Sequence, residues 1–120
     1  MLFRSAQCEG RLTLTRHPDG CLLLFPRGTW ELKREEIRAF PIAARDWQRI
    51  FLGSAEDVDM DGSGRILISP ELRQASKIER QTVFMGMGAH FELWDPPSLH
   101  AREQQAIDAG MPEALSHFTL

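Results

Sequence analysis

The chain is predicted to be an α+β protein whose two halves are versions of one unit, and three observations carry that prediction. Short aliphatic and β-branched runs bounded by Pro, Gly and Asp alternate with charged stretches whose apolar residues recur at helical spacing, so neither element type dominates. The 120 residues are 42% hydrophobic, enough for one compact core or two small interlocked ones. The halves also align without a gap at an offset of 69 positions, the distance from Arg4 to Arg73. At that offset Ala75 falls on Ala6, Arg80 on Arg11, Thr82 on Thr13 and Leu93 on Leu24, while Val83 falls on Leu14, Phe91 on Leu22, Trp94 on Phe25, Leu99 on Trp30 and Arg102 on Lys33. Strand and helix character correspond in order, as an internal duplication requires.

Taken in order, the chain opens with a short helical piece around Phe3 to Cys8, followed by a strand from Arg11 to Thr15 with Leu12 and Leu14 on one side. His17-Pro18-Asp19-Gly20 has turn composition, and Cys21 to Phe25 is a second strand ended by Pro26. Trp30 to Phe40 predicts a charged surface helix closed by Pro41. A second helix from about Ala43 to Leu52 carries Trp47, Ile50 and Phe51 on one face, suited to core or subunit contact. Asp57 to Met60 reads as a strand with Val58 and Met60 inward and the two aspartates in solvent. Gly86-Met87-Gly88 is a hairpin turn between Thr82 to Met85 and Phe91 to Trp94. Asp95-Pro96-Pro97-Ser98 starts a last helix that runs to Ala109 and stops at Gly110, and nothing periodic places Glu113 to Leu120.

The most informative stretch is Asp61-Gly62-Ser63-Gly64-Arg65-Ile66-Leu67-Ile68-Ser69-Pro70-Glu71-Leu72-Arg73. Two glycines permit positive φ, and Asp61 and Ser63 can bond back to nearby amides and stiffen the turn, so Arg65 leaves it at a fixed place. Ile66 to Ile68 predicts a strand, with Ser69 as helix cap and Pro70 at the first helical position. Such an arginine is either a solvated hairpin residue or the reading element of a nucleic-acid-binding loop.

Composition limits the possibilities. With 14 Lys+Arg against 17 Asp+Glu the net charge is −3, so any attraction for phosphate must be local. No apolar run approaches 18 residues and no signal peptide is evident, which predicts a cytoplasmic location. Cys8 and Cys21 form no close pair and predict reduced thiols; with His17 they make no zinc site. Asp57-Val58-Asp59-Met60-Asp61-Gly62 opens like a calcium loop, but the twelfth position is Ile68 and the ninth is Arg65, so no metal is predicted. Gly86-Met87-Gly88 lacks the third glycine, helix and lysine of a phosphate cradle. No triad, histidine cluster or apolar carboxylate pair points to catalysis, and no cofactor or small-molecule substrate is expected.

Asp61-x-x-Gly64-Arg65, then Ile66-Leu67-Ile68, Pro70 and Leu72-Arg73, resembles the second signature of the MraZ family of bacterial transcription regulators. Arg49-Ile50-Phe51-Leu52-Gly53, His90-Phe91-Glu92-Leu93-Trp94 and Asp19-Gly20-Cys21-Leu22-Leu23-Leu24-Phe25-Pro26 are also similar to the family pattern, in the family's order. The resemblance implies two AbrB-like modules, small β-barrels of interleaved swapped hairpins, here assigned to residues 1–53 and 54–110 with a tail at 111–120. It implies a nucleoid-associated homo-oligomeric ring that binds promoter direct repeats upstream of the division and cell-wall genes, usually as a repressor. It marks Arg65 as the base reader, Asp61, Gly64 and Ser63 as the loop that shapes it, and Arg73 as a further DNA contact. The offset of 69 places Pro70 on Met1, so the first module is expected to enter at its helix, without its own loop. The alternative is an oligomeric scaffold that has lost DNA binding along with that loop.

Overall fold

The computed structural model describes residues 10–120. The predicted helical piece at 3 to 8, Cys8, and the repeat positions Arg4 and Ala6 lie outside the described residues. Strand β1 (Arg11–Arg16) and strand β2 (Leu22–Pro26) form a hairpin, followed by helix α1 (Arg27–Arg38), a 3-10 turn (Ile42–Ala44) and helix α2 (Arg45–Gly53). Strand β3 (Glu56–Asp59), helix α3 (Pro70–Ser76), the hairpin of β4 (Val83–Gly86) and β5 (Phe91–Trp94), helix α4 (Pro96–Ala109) and a 3-10 turn (Glu113–Leu115) complete it. Among the described residues the strands make one antiparallel five-stranded sheet in the order β3-β1-β2-β5-β4.

Local chemistry accounts for most boundaries. The β1–β2 turn closes with Gly20 donating to the His17 carbonyl at 3.0 Å, and Gly20 holds φ +93°. The Ser69 hydroxyl accepts from the Leu72 amide at the start of α3, and the Asp95 carboxylate accepts from the Ser98 amide and hydroxyl at the start of α4, each with proline in the first turn. Helix α1 starts at Arg27, three residues before the predicted Trp30. Pro26 takes the N-cap position, and burial of Trp30 and Ile37, two turns apart on one stripe, outweighs the cost of Gly28.

One sheet face carries a leucine core. Leu12, Leu14, Leu22, Leu24 and Leu93 are wholly buried, closed over by Leu72 and Ile78 and flanked by Val58, Met60, Ile66 and Ile68. Each such leucine contributes about 1.5–3 kcal/mol. A second cluster, Phe25, Trp30 and Ile37 with Phe40, Phe51 and Leu52, packs α1 and α2 on the other face, where the Thr15 hydroxyl donates to the Phe51 carbonyl at 2.6 Å. Val58 and Met60 point inward as expected, and Asp57 and Asp59 outward. The aspartates have partners, however. The Thr13 hydroxyl donates to Asp57, and Arg27 lies 3.7 Å from Asp57 and 3.8 Å from Asp59 while donating to the Leu12 and Val58 carbonyls, so it clamps β1 to β3.

The expected strand at Ile66-Leu67-Ile68 is not formed. Ile66 and Ile68 insert into the leucine core and Leu67 is 83% exposed, which keeps the alternation of a strand, but among the described residues no neighbouring strand supplies a ladder.

The offset of 69 reappears in the element order: β2 starts at Leu22 and β5 at Phe91, α1 at Arg27 and α4 at Pro96. The register Leu22 to Leu93, Leu23 to Glu92 and Leu24 to Phe91 centres on Leu23 and Glu92, themselves 69 apart, but the hairpins differ by one position: Leu14 pairs with Leu24, whereas Val83, at the offset position of Leu14, pairs with Trp94. In the tail, extended Pro112 precedes the turn Glu113–Leu115, as extended Pro41 precedes Ile42–Ala44, at a separation of 71 and not 69. Among the described residues no helix is long and apolar enough to cross a membrane.

Candidate nucleic-acid interface

Asp61 builds the arginine turn. Its amide donates to the Arg65 carbonyl at 2.8 Å and its carbonyl accepts from the Gly64 amide at 3.0 Å, which closes the five-residue loop. One carboxylate oxygen accepts from the amides of Ser63 and Arg65, both at 2.9 Å, and the other accepts from Arg65 Nε at 3.2 Å. The Arg65 amide, then that of Ser63, together with the guanidinium, hold the Asp61 carboxyl below the usual carboxylate range. Gly64 sits at φ +80°, a conformation disfavoured for a residue with Cβ. Ser63 stiffens the turn through its backbone N–H, and among the described residues its hydroxyl makes none of the expected bonds to nearby amides.

These bonds anchor Arg65 at its base and leave its head in solvent. The side chain is 78% exposed, and among the described residues its two terminal Nη nitrogens take no hydrogen bond. A planar fork with both ends available can make the bidentate contact that guanine O6 and N7 accept in the major groove. Asp61, Ser63, Gly64 and Arg65 thus share one turn. Arg73 lies outside it on α3, where it donates to the Glu79 carbonyl at 3.0 Å and secures the segment after that helix. Lys77 at φ +62° forms the α3 C-cap.

Two bonds tie the turn to the rest of the fold. Met60, just before it, donates to the Gly10 carbonyl at 2.7 Å, and Ser69, beyond it, donates to the Glu56 carboxylate at 2.6 Å. The Ser69 to Glu56 bond joins the two ends of the segment that presents Arg65, and no local spacing rule announces it.

The family model described as "MraZ protein" matches residues 51–117, which include the whole turn. A protein of Herminiimonas arsenicoxydans named "Transcriptional regulator MraZ" is 64% identical over 113 residues, covering 94% of this chain and 80% of that protein. The chain belongs to the MraZ family. Proteins of the same name from Burkholderia mallei (strain SAVP1) and Burkholderia cenocepacia (strain HI2424) are 59% and 58% identical, with the same shares covered.

Proposed function

We propose that this chain is a DNA-binding transcription regulator that reads bases with Arg65. The observation that carries the reading is the solvent-directed Arg65 fork on a turn fixed by three bonds to one carboxylate. The relatives' name, transcriptional regulator, supports it. Asp61, Gly64 and Ser63 set the loop, and Arg73 adds a backbone contact. Residues 1–53 and 54–110 act as two AbrB-like barrel modules, with 111–120 as a tail. One arginine per subunit gives discrimination of about 1–3 kcal/mol, too little alone, so several copies are displayed by a ring-shaped homo-oligomer. Repetition also lets a chain of net charge −3 hold a polyanion through local contacts. The ring works in the cytoplasm on the nucleoid and represses the division and cell-wall gene cluster through direct repeats in its promoter.

The test is Arg65→Ala in a mobility shift on repeat DNA titrated with salt, with circular dichroism to show an intact fold. Affinity is expected to fall by at least tenfold; unchanged affinity rejects the reading.

A further inference from the structure

A second site lies away from the arginine turn. Helix α1 and the turns of both hairpins surround a cavity of about 470 Å³ on the sheet face opposite the leucine core, a volume typical of small-molecule sites. Its floor is Phe25, Trp30 and Ile37, all at least 95% buried, with Phe51 at one wall. Polar side chains gather at the mouth: His17, His90, Lys33 and Glu36. We propose that this cavity binds a small anion with a flat apolar body and one carboxylate, the body against Trp30 and Phe25 and the acid at the two histidines and Lys33.

Three observations select that class. The floor is aromatic: Phe25 lies 5.7 Å from Trp30 and 5.1 Å from the His90 ring, at tilts of 43° and 36°, and so favours a planar group. His17, His90 and Lys33 bring basic side chains to the same lining, which suits a ligand with an acidic end. The basic groups feel one another: burial, then His17 and Lys33, lower the proton affinity of His90 while Glu92 opposes them, and a bound carboxylate relieves that repulsion. Two acidic groups qualify the balance. Glu36 pairs with Lys33 at 2.8 Å and Asp19 lies 3.6 Å from His17, but both are substantially exposed, and exposed pairs are weakly held. With His17, His90, Lys33, Glu36, Glu92 and Asp19 as the groups concerned, a bound carboxylate favours protonated His90, so binding tightens as pH falls below the ordinary imidazole value of 6.5.

The competing occupant is the tail of a second copy, whose Leu115 and Phe118 are exposed. The experiment is calorimetric titration of the purified chain with 2-naphthoate and, in parallel, with the uncharged 2-naphthamide, without DNA, so that it is independent of the regulator reading. Naphthoate is expected to bind at least tenfold tighter than the amide at pH 6, with the advantage reduced in Lys33→Met and binding abolished by Ala89→Trp, which fills the mouth. Equal binding of the two compounds, or of neither, overturns the proposal. So does binding by Phe118→Ser alone, which makes the tail the occupant.

Discussion

Leu24→Ala tests whether both halves share one cooperative core. Leu24 is wholly buried on β2, opposite Leu14 on β1 and Phe91 on β5, and so joins the two hairpins. Removing three carbons forfeits about 2.4 kcal/mol of transfer energy, and the residual cavity raises the cost to about 3–4 kcal/mol. That compares with about 6–18 kcal/mol of total stability for a chain of 120 residues, and corresponds to a melting temperature lower by about 12–16 °C. Urea denaturation at fixed protein concentration would be followed in two single-tryptophan backgrounds, one reporting from Trp30 beside β2 and one from Trp94 on β5. Both transitions are expected to move together by the same amount. A Trp94 transition that stays in place, or a loss below about 1 kcal/mol, refutes the account of a continuous sheet with Leu24 at its centre.

The glycines give a paired expectation. Gly64→Ala strains the turn by about 1–2 kcal/mol through φ +80° alone, since its Cβ would meet nothing within 4 Å, whereas Gly28→Ala inside α1 stabilises by about 0.4–1 kcal/mol; thermal melts read both signs. Ser69→Ala removes the α3 cap and the bond to Glu56, and is expected to cost about 1–2 kcal/mol in denaturant titration. The Asp61 carboxyl is depressed in the folded chain, so its contribution is present above the ordinary value of 3.8 and lost as pH falls through the depressed one. Amide protection at Ser63 and Arg65, followed by NMR, is expected to disappear in that acid range in the wild type and to be pH-independent in Asp61→Asn.

The features that could be read in advance were those set within a few residues. Leu12 and Leu14 alternate, Ser69-Pro70 and Asp95-Pro96 form caps, and Asp61 with Gly64 makes a turn, because each depends on neighbours at fixed short spacing. The offset of 69 anticipated the order of hairpin and helix in both halves but not that β2 pairs with β5, since pairing register is a tertiary choice. No motif singles out Arg27 between the strand ended by Pro26 and the helix predicted from Trp30; its clamp on Leu12 and Val58 needs strands brought together from distant positions. Ile66 to Ile68 had the period of a strand, and periodicity alone says nothing about whether a ladder partner exists. Of the candidate site, the Arg65 turn was legible and the cavity was not, because its lining draws His17 from the β1–β2 turn and His90 from the β4–β5 turn, which only the pairing of β2 with β5 brings to one cavity.

The most direct measurement is selection from a randomised duplex library by the wild type and by Arg65→Lys, which keeps the charge and removes the fork. The wild type is expected to enrich repeats with a fixed guanine, and the variant to bind DNA with the preference at that guanine lost and its salt dependence little changed. Recovery of the same sequence motif by both proteins would contradict base reading by Arg65.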